Sequence, residues 1–63
     1  MKTYVPPVGW TLQTITVSEA ELPSLCDAIV ERGYTLLNVI HEDDTATVSA
    51  AVPKDEWLHE LLR

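Results

Sequence analysis

Apolar and polar positions change period along the chain, and the changes mark its elements. Residues 10–17 read Trp-Thr-Leu-Gln-Thr-Ile-Thr-Val, a β-favouring composition that predicts a first strand. Trp10 and Leu12 fall on one face of it, Ile15 and Val17 on the other. Either both faces are partly covered or a bulge shifts the register. Leu22, Leu25, Cys26, Ile29 and Val30 then recur at i, i+3, i+4, i+7 and i+8, one apolar stripe of a helix, with Asp27 and Glu31 on the solvent side. Two starts fit this helix. Ser18 and Glu21 have capping-box spacing, and Glu19 and Glu21 suit the positive end of the helix dipole. That start places Pro23 just past the first turn, where it removes a backbone bond. A start near Leu22 makes Pro23 the first helical residue, where its missing N–H costs nothing. Arg32 ends the helix near its negative pole, and Gly33 suits the left-handed position beyond it.

The second strand, 34–41, is apolar on both parities: Tyr34, Leu36 and Ile40 alternate with Leu37 and Val39. A strand of that kind is expected to be covered on both faces, by its own domain or by a partner. Glu42-Asp43-Asp44 forms a polar loop closing a hairpin. The third strand, 45–52, alternates cleanly. Ala46, Val48, Ala50 and Val52 face one way, while Thr45, Thr47 and Ser49 face water, and Pro53 stops the strand. A last helix, 56–63, carries Trp57, Leu58, Leu61 and Leu62 on a broad apolar face. It is too short to stand alone, so it must dock, with Trp57 as the expected anchor.

The order β-α-β-β-α defines an α+β domain with a three-stranded sheet in the order 1-3-2 and two helices, a truncated ferredoxin-like arrangement lacking its last strand. A right-handed crossover from the first strand is expected to leave strands one and three parallel, and strands two and three antiparallel. Residues 1–63 form one domain in which 1–9 is an extended lead-in, given polyproline character by Pro6-Pro7. The first strand keeps a free edge that segment 3–8, or a second chain, would cover. The stretch from Leu25 through Gly33-Tyr34-Thr35-Leu36 into residues 47–54 resembles small uncharacterised bacterial βαββ proteins. The resemblance implies the topology and transfers no functional residue.

Charge narrows the partners. Ten acidic residues against four Lys and Arg give a net charge of −6. Lys2, Arg32, Lys54 and Arg63 are scattered, with no basic stripe to neutralise phosphates, so direct nucleic-acid binding and anionic membranes are excluded. A basic protein surface is what such a field attracts. Apolar runs fall far short of the roughly 20 residues of a membrane span. The first residues lack the apolar region of a secretory signal, and one cysteine cannot form an internal disulfide. A reducing, cytoplasmic setting is therefore expected.

No constellation predicts catalysis. His41, Glu42, Asp43 and Asp44 form the most polar cluster, but match no calcium loop. His59-Glu60 lacks the second histidine of a zinc helix. Cys26, set among Leu25, Ile29 and Val30, reads as a buried structural thiol rather than a nucleophile. Two glycines, Gly9 and Gly33, cannot build a phosphate loop. The chain is thus expected to be a non-enzyme without cofactor or metal. The function read from the sequence is a small acidic protein-interaction module, a homodimer or a subunit docking on a larger protein. Its contacts would come from the apolar residues Trp10, Leu12, Leu37 and Val39 and from the acidic tip Glu42, Asp43 and Asp44. An acidic decoy for the nucleic-acid groove of another protein is the alternative. A sensor of a small ligand or metal in the crevice of a dimer is the third reading.

Overall fold

The computed structural model describes residues 4–62; Met1, Lys2 and Thr3 of the lead-in and Arg63 of the last predicted helix lie outside the described residues. Strand β1 spans Trp10–Ser18, helix α1 Leu22–Glu31, strand β2 Thr35–Glu42 and strand β3 Thr45–Pro53, and the chain finishes in a 3-10 helix, Leu58–Leu62. The three strands form one antiparallel sheet in the order β1-β3-β2. The expected strand order holds, but the expected parallel pairing of the first and third strands does not: β1 runs antiparallel to β3. The crossover through α1 joins β1 to β2, and the hairpin reverses β3, so β3 opposes both neighbours.

Helix α1 takes the later of the two predicted starts. Glu21 is its N-cap and Pro23 occupies the first turn, where no intrahelical bond is lost. Ser18 and Glu21 still meet, with the Ser18 hydroxyl donating to Glu21 Oε1 at 3.0 Å, but on the turn that precedes the helix. At the other end Gly33 adopts φ +78°. The Gly33 N–H donates to the Val30 carbonyl and the Tyr34 N–H to that of Ile29, both at 3.0 Å, the double bond of a Schellman stop.

Leu25 and Ile29 are fully buried against Val17, Val48, Ala50 and Val52. Val30, placed in the same stripe from the sequence, is 67% exposed. It lies roughly 100° round the helix from the line through Leu22, Leu25 and Ile29, beyond the width that one sheet face covers. Cys26 is half-buried rather than enclosed.

The central strand follows its predicted alternation as far as Ala50, with Ala46, Val48, Ala50 and Val52 all buried, but Ala51 on the other parity is buried as well. Pairing of β1 with β3 is continuous from Trp10↔Pro53 to Ser18↔Thr45, so β1 contains no bulge and simply carries Leu12 to the other face. The register shift lies in β2, between Leu36 and Asn38. That extra residue explains why Tyr34 and Ile40, of equal parity in sequence, part company. Tyr34 packs on the core, while Ile40, paired with Thr47 on the opposite face, is 53% exposed.

The last element differs from expectation in two ways. It is a 3-10 turn, in which residues three apart line up, so Leu58 and Leu61 both approach the core. Trp57 is not its anchor: Trp57 is 54% exposed, whereas Leu58 is 2% exposed. The segment is fastened by Gln13, whose Nε2 donates to the Glu56 carbonyl at 2.7 Å and whose Oε1 accepts from the Leu58 N–H at 2.9 Å. Tyr34 adds a bond from its hydroxyl to Glu56 Oε1 at 2.8 Å, with the Arg32 guanidinium 3.7 Å from the same oxygen. Burial and the hydrogen bond to Glu56 push the Tyr34 phenol above its ordinary range, Arg32 pulling the other way.

Candidate interaction surface

One sheet face is covered by α1 and the other has no layer over it among the described residues. The molecule is 15 Å deep in its thinnest direction, the depth of a sheet and one helix. Register places Leu12, Thr14, Thr16 and Ser18 of β1 on the open face, beside Ser49, Thr47 and Thr45 of β3; Ala51, opposite Leu12 and Thr35, shares that side but is fully buried. Strand β2 adds Thr35, Asn38, Ile40 and Glu42. The hydroxyls of Thr14 and Ser49 lie 3.3 Å apart and those of Thr16 and Thr47 3.2 Å apart, so the middle of the face is a ladder of paired hydroxyls. Leu12, 50% exposed, and Ile40 flank it diagonally. Among these strand residues only Glu42, at the hairpin corner, is charged, in a chain where 22% of residues are.

A second feature runs along the free edge of β1. A groove of about 380 Å³ is lined by Gln13, Thr14 and Ile15 on one side and by Trp57, Leu58 and His59 on the other. Consecutive strand residues point to opposite faces, so a groove touching three in a row lies beside the strand rather than over either face. Trp57 and His59 stand with ring centroids 6.1 Å apart and tilted 35°. Residues 4–8 do not close this edge: they belong to no strand, and Val5 and Val8 are exposed. They reach β1 only through a turn in which the Trp10 N–H bonds the Pro7 carbonyl at 3.0 Å.

The hairpin end gathers the acidic residues. Asp43 and Asp44 make a two-residue turn, Asp43 at φ +54°, a left-handed conformation that Asp tolerates better than most side chains. The Glu19 N–H donates to the Asp44 carbonyl at 2.8 Å, and His41 Nδ1 meets Glu19 Oε1 at 2.6 Å. The residues described include no group of three or more His, Cys, Asp or Glu able to hold a metal ion.

The contact residues named from the sequence therefore divide. Leu12 is on the open face. Trp10 heads the same strand, but its ring stands edge-on to Tyr34 at 6.0 Å. Val39 packs against the protein's own core and Leu37 is half-buried at the bulge of β2. Glu42, Asp43 and Asp44 form the exposed tip. Sequence reasoning missed Ile40 on the open face, hidden by the bulge, and the groove formed by Gln13 and Trp57, which local pattern does not signal. Among the described residues no helix is long and apolar enough to cross a membrane.

Comparison with known proteins finds no matching family, no matching curated protein and no matching solved structure.

Proposed function

We propose that this chain is a non-catalytic protein-interaction module that self-associates through the open face of its sheet. The observation that carries the reading is the near absence of charge on that face. Two bodies of charge −6 repel wherever carboxylates meet, and the neutral sheet face is the surface on which they can be apposed with their acidic groups held at the periphery. Depletion of charge at the centre of a patch is also what marks protein interfaces in general.

Area sets the strength. Three strands at a spacing of about 4.8 Å, nine, eight and nine residues long at about 3.4 Å per residue, span roughly 420 Å². That is about half of the ~800 Å² per partner of a standard interface. The association is accordingly weak and concentration-dependent. Light scattering across a concentration series tests it. The mean mass should rise toward that of a dimer, and Ile40→Glu, which puts a carboxylate on the face without touching the core, should restore the monomer. A strict monomer at millimolar concentration, or a dimer indifferent to Ile40→Glu, overturns the reading.

The gathering of Glu19, Glu42, Asp43 and Asp44 at the hairpin end supports a second reading, an acidic decoy for a basic groove on another protein. Its complex would weaken steeply with salt, whereas the sheet-face dimer would not. The single cysteine supports a reducing, cytoplasmic setting.

A further inference from the structure

We propose that the free edge of β1 takes an extended, lysine- or arginine-bearing peptide as a fourth strand, with one basic side chain laid over Trp57. An edge strand presents a row of backbone donors and acceptors ready for a partner, and adding a strand there is an established mode of peptide recognition. Here the edge is not bare. The wall formed by residues 57–59 stands beside Gln13, Thr14 and Ile15 and shapes a groove against them. That wall is fixed in place, because the Gln13 amide bonds Glu56 and Leu58 as a neighbouring peptide unit would. An incoming strand thus meets a preset lip rather than a mobile tail, which lowers the ordering cost of binding.

Charge selects the occupant. Trp57 exposes more than half of its surface at the lip, and an indole face attracts a cation. Asp55 and Glu60 flank Trp57 in the chain, and neither makes an ion pair among the described residues, whereas Glu56 is engaged by Tyr34 and Arg32. A second copy pairing edge to edge would bring two such acidic lips together and be repelled. A basic extended segment is complementary to them. The groove shares Thr14 with the open sheet face and otherwise has a lining of its own; Ile40→Glu lies on the far strand and leaves it untouched, so the two proposals can fail separately.

Titration of the ¹⁵N-labelled protein, at a concentration where it is monomeric, with acetyl-Lys-Val-Lys-Val-Lys-Val-Lys-amide tests the proposal. Amide shifts should concentrate at Thr14, Ile15 and Thr16, together with the Trp57 indole. Trp57→Ala should weaken binding about two- to fivefold, and Glu60→Lys should weaken it without touching the core. A peptide with proline at the central valine, which cannot donate to the ladder, should bind more weakly at equal charge. The proposal is overturned by no shift, by shifts confined to the acidic residues 41–44, or by equal binding of the proline peptide. Unchanged affinity in both variants overturns it as well.

Discussion

Truncation of Leu58 separates a closing role for the last turn from a decorative one. Leu58 is 2% exposed and belongs to the cluster of Val17, Leu25, Ile29, Val48, Ala50 and Val52. Leu58→Ala would remove the side chain from a site closed on the opposite side by α1, which cannot collapse freely around the void. Buried Leu→Ala changes cost about 2.7–5 kcal/mol, the larger values where the cavity persists. A domain of this length holds roughly 3–9 kcal/mol in total, so Leu58→Ala should leave the protein barely folded or unfolded at room temperature. Trp57→Ala, one residue away, removes a larger side chain that is mostly in water, and should cost about 1 kcal/mol or less. Urea denaturation followed by far-ultraviolet circular dichroism measures both on one scale, at a concentration low enough to exclude association. A Leu58→Ala midpoint equal to that of the parent, or a Trp57→Ala loss as large as that of Leu58→Ala, would refute the assignment of Leu58 as the residue that seals the core.

Two other expectations follow from local geometry. Gly33→Ala should destabilise by about 1–2 kcal/mol, because φ +78° at that position is left-handed and a Cβ is penalised there; since nothing lies within 4 Å of the added atom, an unchanged urea midpoint would mean that the Schellman stop has relaxed. The Tyr34 phenol is raised from 10.0, so its contribution to stability is fully present below the unfolded value and is lost as pH rises through the higher folded one. Alkaline unfolding curves should therefore steepen above about pH 10 in the parent and less so in Tyr34→Phe, and identical curves would show that the bond to Glu56 is not coupled to folding.

The three strands and the first helix are legible because their signals are local, whereas the last segment, expected as a helix over 56–63, is a 3-10 turn over Leu58–Leu62. The alternation of Ala46, Val48, Ala50 and Val52 needs only a period of two, and Pro23 and Gly33 mark the ends of α1 through backbone sterics alone. The fold class and strand order follow from that sequence of elements, and so does an acidic loop at 42–44, which the structure shortens to the turn Asp43-Asp44 by ending β2 at Glu42. What the residues could not decide by themselves lies between elements. Whether β1 opposes or accompanies β3 depends on which strands the crossover connects. The bulge in β2 exists because pairing with β3 must bring both Tyr34 and Val39 to the helix side, and it sends Ile40 to the open face. The helical stripe named Val30 a core residue, yet the sheet is only wide enough to cover Leu22, Leu25 and Ile29. Trp57 outranks Leu58 in size, but the amide of Gln13, 45 residues earlier, grips the Leu58 N–H and sets which of the two turns inward. Periodicity reports the preference of a residue for one side of its own element. Which side is in fact sheltered, and where an edge and a lip make a groove, depends on contacts between distant segments, and these exist only once the chain has folded.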